Sequence, residues 1–208
     1  MGFRSMIQKT DEEYPRILLT SKLNDLLEVL DNQVATHGHL EYMIFSDTIV
    51  VFAPDLKASS YGWFLLQCTI IMNKSISIRL PLRGAISVGT AFISNTPPVV
   101  IGPSFLEAHE YCEDQDWIGL LLTPSASSAV RQAGLNPLHH DFVFDNIPLR
   151  KMPPEDVLAY RFQNGCANYS SPLLKFLGEM KHFAPDKDKG KYGRTMEFIK
   201  RHYKHIRH

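Results

Sequence analysis

Apolar positions in the first part of the chain recur at helical spacing. Leu19, Leu23, Leu26, Leu27, Leu30 and Val34 fall on one stripe, the signature of an amphipathic helix. The pattern predicts a helix over 14–36, with Pro15 near its start and Gly38 just beyond its end. Phe3 to Ile7 reads as an earlier helical turn. The period then changes. Tyr42 to Phe45 and Thr48 to Phe52 are short runs of aromatic and β-branched residues around a Ser-Asp-Thr step, which predicts a β-hairpin. A helix is expected over 56–73 and a strand over 76–88, with Pro81 marking part of that strand as edge or bulge. Helix 103–114, strand 117–122, helix 124–133 and strands 142–146 and 157–162 follow. Helices alternating with strands imply an α/β sandwich, helices packed on a sheet. No repeat of 20–50 residues is visible.

Composition supports a folded chain. Of 208 residues, 44% are hydrophobic and 21% charged, which is ordinary for a globular protein and unlike a disordered one. No apolar run approaches the roughly 20 residues of a membrane span. Arg4, Gln8 and Lys9 interrupt the start of the chain, so no secretory leader is read there. Cys68, Cys112 and Cys166 are odd in number and far apart, which indicates neither a disulfide framework nor a zinc cluster. The default is a soluble protein of a reducing compartment, the cytoplasm.

The 22 basic and 22 acidic side chains cancel, but they are unevenly placed. Residues 164–174 read as a Gly/Asn/Ser/Pro linker. Beyond it, 175–208 carry ten Lys/Arg against four Asp/Glu, a local +6 that leaves −6 on the rest. Within this extension Tyr192, Met196, Ile199, Tyr203 and Ile206 follow a 4-3-4-3 spacing, one apolar face among basic ones. That seam favours packing on the chain's own domain or on a second copy. Contact of the basic tail with an anionic membrane surface or nucleic acid is the lesser reading. The organisation expected is a domain over 1–163, the linker, and a basic helical extension.

Three segments carry candidate chemistry. Phe45-Ser46-Asp47-Thr48-Ile49-Val50-Val51 resembles the metal-binding hairpin of class III nucleotidyl (adenylate/guanylate) cyclase catalytic domains. Leu82-Arg83-Gly84-Ala85-Ile86-Ser87-Val88-Gly89 is similar to that family's R-G-I-x-x-G strand, and Gly102-Pro103-Ser104-Phe105-Leu106-Glu107-Ala108 to the Gly-led helix after it. Order and spacing agree over roughly residues 1–125. The likeness is nearest to short bacterial stand-alone cyclases, including the pyrimidine cyclases of antiphage (antiviral defence) signalling.

The resemblance implies a ferredoxin-like α/β sandwich, acting as a homodimer on a nucleoside triphosphate with Mg²⁺ or Mn²⁺. The product would be a 3′,5′-cyclic nucleotide plus pyrophosphate. It implies Asp47 as metal ligand and catalytic residue, Arg83 as a catalytic phosphate contact, and Gly2, Phe3 and Ser46 beside the substrate. Two metal ions activate the ribose 3′-hydroxyl and neutralise charge on the attacking and leaving oxygens. In the family the second carboxylate ends the first strand, as Asp-Ile-x-Gly-Phe. If Gly2-Phe3 closes that motif, the Asp falls two residues upstream of Met1. The expectation is then a start assigned one strand too late, and an interior gap in the sheet where that strand belongs.

Other features argue against turnover. Leu106 and Glu110 stand where the family often has Asn and Arg. A catalytically inactive cyclase-like domain that binds a nucleotide or a protein is therefore the rival reading. Each candidate also has a plain account. Asp47 suits any hairpin turn, and Arg83 suits a surface ion pair. Cys112 suits a small buried apolar position. His139-His140-Asp141 reads as loop polarity, since neighbouring imidazoles on a strand point to opposite faces. No nucleophile elbow, phosphate-binding loop or dinucleotide fingerprint occurs.

Overall fold

A computed structural model describes residues 13–36, 38–45, 48–54, 56–162 and 170–203. The predicted first helix is α1 (Glu13–Thr36). Its stripe buries Leu26 and Leu30 completely, against Ile71 and Leu80. The same small core takes in Tyr42, Ile49 and Val51 from the predicted hairpin, β1 (Glu41–Phe45) and β2 (Thr48–Phe52). The two strands pair antiparallel, with Phe45 opposite Thr48 and Glu41 opposite Phe52.

Helix α2 (Tyr61–Ser77) starts later than the apolar run suggests, because Ala58–Ser60 forms a separate 3₁₀ turn. It is apolar on more than one side, and both sides are used. Leu65, Met72 and Ile76 enter the main core, while Ile71 enters the small one. The strand expected over 76–88 contracts to β3 (Gly84–Ile86). Its first two residues end α2, the chain reverses at Arg79 with φ +58°, and Pro81 has no N–H to give a ladder.

No element is predicted for 92–101, yet β4 (Phe92–Asn95) and β5 (Pro98–Ile101) form a second hairpin. The Thr96-Pro97-Pro98 step supplies its turn and the start of β5. Helix α3 (Pro103–Asp114) spans the predicted residues. It is followed by β6 (Leu120–Leu122), α4 (Pro124–Gln132), β7 (Phe142–Val143) and β8 (Leu158–Tyr160). Strands β3, β6, β8 and β7 make one sheet in that order, with β3 parallel to β6 and the other pairs antiparallel. The fold is mixed α/β.

Two helices close the chain, α5 (Ser170–Phe183) and α6 (Asp186–Tyr203). Helix α5 begins inside the stretch whose composition reads as a linker. Both belong to the main core: Leu173, Leu177, Tyr192, Phe198 and Ile199 are buried with the sheet residues. Trp117, fully buried, is the centre of this packing. Its ring meets Phe198 edge-on at 4.8 Å and Phe162 at 6.2 Å between centroids, geometries that favour aromatic pairs. The seam read in the extension therefore packs on the chain's own domain, through Tyr192 and Ile199, with Phe198 added. Tyr203's side chain and Ile206 lie outside the described residues.

Candidate functional site

Among the described residues the β1–β2 hairpin and the four-stranded sheet do not join. Between them runs a groove of about 750 Å³. Strand β2 forms one wall and residues Leu82 to Gly89 the other, while Phe64, Leu65, Cys68, Ile71 and Met72 of α2 make the floor. Those floor positions recur at three- and four-residue intervals, one face of the helix. At one end the groove is bounded by Ser104, Phe105, Ala108, His109, Cys112 and Glu113 of α3.

Glycine and hydroxyl chemistry set α3 in place. Gly102 has φ +152°, and a Cβ there would lie 2.6 Å from the Thr90 carbonyl oxygen and 2.7 Å from the Ala91 Cα. Only glycine permits that approach without displacing backbone. The Ser87 hydroxyl donates to the Ser104 carbonyl at 2.6 Å, and the Ser104 hydroxyl to the Thr90 carbonyl at 3.0 Å. On the far side of β3 the Val88 N–H donates to Ser125 Oγ at 3.0 Å, and that hydroxyl in turn donates to Glu107.

Arg83 lines the groove, and its side chain is only 7% exposed. Its guanidinium is engaged by the end of α3. Nη1 donates to the carbonyls of Glu113 and Gln115 at 3.0 and 3.1 Å, and Nη2 pairs with Glu113 Oε1 at 2.9 Å. A cation at a helix C-terminus satisfies carbonyls that have no intrahelical partner. Gln115, fully buried, continues the network: its Nε2 donates to the Gly84 carbonyl at 2.9 Å, and its Oε1 accepts from Trp117 Nε1 at 2.8 Å. Burial pushes the Cys68 thiol up to about 12, and burial also raises Cys112, against the nearby Arg83 charge.

Of the residues expected to be catalytic, substrate-binding or metal-binding, only Arg83 falls within the described residues. Gly2, Phe3, Ser46 and Asp47 lie outside the described residues; β1 ends at Phe45 and β2 resumes at Thr48, which lines the groove. Leu106 is 56% exposed and Glu110 is exposed, and neither lines the groove. Among the described residues no three His, Cys, Asp or Glu side chains gather as a metal-binding group. Glu113, the groove's acidic residue among those described, is paired with Arg83. These residues do not by themselves fit a divalent cation. His139 and His140 lie in a 3₁₀ turn, Pro137–His140, and Asp141 pairs with Arg161 at 3.0 Å. Gln115, Ser125 and Glu107 were not legible as partners, because each meets residues 18 to 37 positions away with no local spacing to announce it.

Comparison of the chain with models of known protein families, with curated proteins and with solved structures gives no match.

Proposed function

We propose that this is a nucleotidyl cyclase-like domain of ferredoxin-like type, taking a nucleoside triphosphate at the mouth of the groove. One observation carries the reading. The three segments that resemble the cyclase family are far apart in the chain, yet Thr48 to Val51, Arg83 to Gly89, and Ser104, Phe105 and Ala108 all line one groove. By the same resemblance Asp47, outside the described residues, would hold Mg²⁺ or Mn²⁺. Homodimer formation and a place in antiphage signalling belong to the same proposal.

The test is product formation. The purified protein is given each of the four common nucleoside triphosphates with Mn²⁺, and cyclic nucleotide is sought by mass spectrometry. Product that disappears with Asp47→Ala supports the reading; no product from a folded dimer with any nucleotide overturns catalysis.

A second reading, an inactive domain that binds a nucleotide or a protein, is favoured by the engagement of Arg83. Its guanidinium is held in place by two carbonyls and a carboxylate at the end of α3, so swinging it out toward a phosphate would require breaking those bonds. Nucleotide binding by calorimetry without turnover distinguishes this reading from the first.

A further inference from the structure

Phe183, the last residue of α5, is the most exposed of the large apolar side chains described, at 81%. Helix geometry puts it there. Leu173, Leu177 and Met180 fall at i, i+4 and i+7 and are buried in the main core, with Ala184 packed against it. Phe176 and Phe183, seven residues apart, share a flank of the helix outside that stripe. The Arg79 guanidinium roofs Phe176, 4.2 Å from its ring centroid. Phe183 has no such cover: among the described residues the one ring it meets is that of His182, edge-on at 4.9 Å.

The chain around this ring is basic. Residues 175–194 carry six Lys/Arg against three carboxylates. Each carboxylate is already met by one cation: Glu179 by Arg79 at 2.9 Å, Asp186 by Lys189 at 2.7 Å and Asp188 by Lys191 at 2.9 Å. Arg194 meets Asp116. Lys175, Lys181 and Lys187 pair with no carboxylate among the described residues, and the last two flank Phe183 in the chain. Lys181 reaches across to α6, where a Cβ on Gly193 would lie 3.6 Å from its Nζ. Lys187 is exposed in the first turn of α6. The seam through Tyr192 and Ile199 is taken up by the core, so the apolar element that this basic surface presents is Phe183, outside that seam.

We infer that the α5–α6 corner is a docking surface for an anionic lipid bilayer. Phe183 enters the boundary between headgroups and acyl chains, and Lys181 and Lys187 stay at the lipid phosphates. Charge complementarity selects an anionic partner, and the exposed ring selects a lipid one. Single-stranded nucleic acid is held by aromatic platforms set along a cationic groove, whereas here one phenyl ring projects from a corner between two helices. A single ring and a few cations make the contact reversible and sensitive to salt. The inference concerns the extension and stands or falls separately from the cyclase reading.

Flotation of the full-length protein with lipid vesicles tests it. At low ionic strength the protein should float with vesicles of phosphatidylcholine mixed with phosphatidylglycerol and stay behind with phosphatidylcholine alone. Phe183→Ser should lower partition into the anionic vesicles about tenfold. The pair Lys181→Glu and Lys187→Glu should lower it about a hundredfold or more. Thermal melting should be unchanged by Phe183→Ser, because that side chain lies outside the core. In Phe183→Trp, read as a difference from the parent protein, the new indole should be quenched by lipids brominated on the upper acyl carbons. Failure to float with anionic vesicles at low ionic strength overturns the inference. So does equal partition into uncharged vesicles, undiminished partition of Phe183→Ser, or an indole at position 183 that brominated lipid leaves unquenched. Binding of a poly-dT oligonucleotide, lost in the lysine pair variant while vesicles are not bound at all, would assign the surface to nucleic acid instead.

Discussion

Asp114 shows how much one side chain can organise when its acceptors are fully used. Its Oδ2 accepts the N–H groups of Arg150, Lys151 and Met152 at 2.7 to 2.9 Å, tying the loop before β8 to the end of α3. Burial alone would raise this carboxyl, but the three N–H donors and the Arg150 charge outweigh it and hold the carboxyl below its ordinary value. A group depressed in the folded state contributes stability above its unfolded pKa, about 3.9, and loses it as pH falls through the lower folded value. Asp114→Ala should cost about 2–3 kcal/mol near neutral pH, measured from urea midpoints, and should flatten the acid limb of the stability curve. Gly102→Ala should cost about 1–3 kcal/mol, because the new Cβ meets backbone at a positive φ. The two positions were not equally legible. Gly102 stood out beside Pro103 as a helix start, whereas nothing in the sequence connects Asp114 with residues 150–152.

Elements whose apolar face is periodic were readable, and elements defined by distant partners were not. Helices α1, α3 and α4 and the first hairpin follow local pattern, so their bounds agree with expectation to within a residue or two. β3 was overextended because Ile76, Ile78 and Leu80 alternate like a strand while two of them serve a helix end and a reversal. The β4–β5 hairpin was missed because prolines open its second strand. Of the candidate site, the convergence of three segments on one groove was foreshadowed by resemblance alone, and the engagement of Arg83 was not foreshadowed at all. Arg83→Lys keeps the charge but loses the planar fork that reaches two carbonyls. It should lower the melting temperature by several degrees, for about 1–2 kcal/mol lost. If Arg83 serves only as a phosphate contact, affinity falls and melting does not. At the other end of the fold, Thr195 is fully buried and its hydroxyl accepts from the Ile118 N–H at 2.8 Å. Thr195→Val preserves shape but strands that donor, and chemical denaturation should report a loss of about 1–3 kcal/mol.

At the scale of the molecule, the division between an acidic body and a basic extension becomes an internal fastening. Arg194 pairs with Asp116 at 2.6 Å, and Arg201 and His202 both meet Asp145 at 2.8 Å. Lys189 and Lys191 pair within α6 with Asp186 and Asp188. Two of the extension's basic side chains, Arg194 and Arg201, are therefore met by carboxylates of the body. Burial would raise Asp145, but His202, the Asn146 N–H and Arg201 prevail and lower it, so this fastening too is present above the ordinary carboxylate range and fails in acid. A chain ending at Phe183 loses Tyr192, Thr195, Phe198 and Ile199 from the core. Its Trp117 emission should shift to the red and its unfolding lose cooperativity. No described helix is long and apolar enough to cross a membrane.

The open edges of β2 and β3 also bear on how the protein behaves during expression. Two strand edges that find no partner among the described residues, above an apolar floor, are a template for any extended chain nearby. Inclusion bodies and low soluble yield would then come from these edges rather than from a weak core.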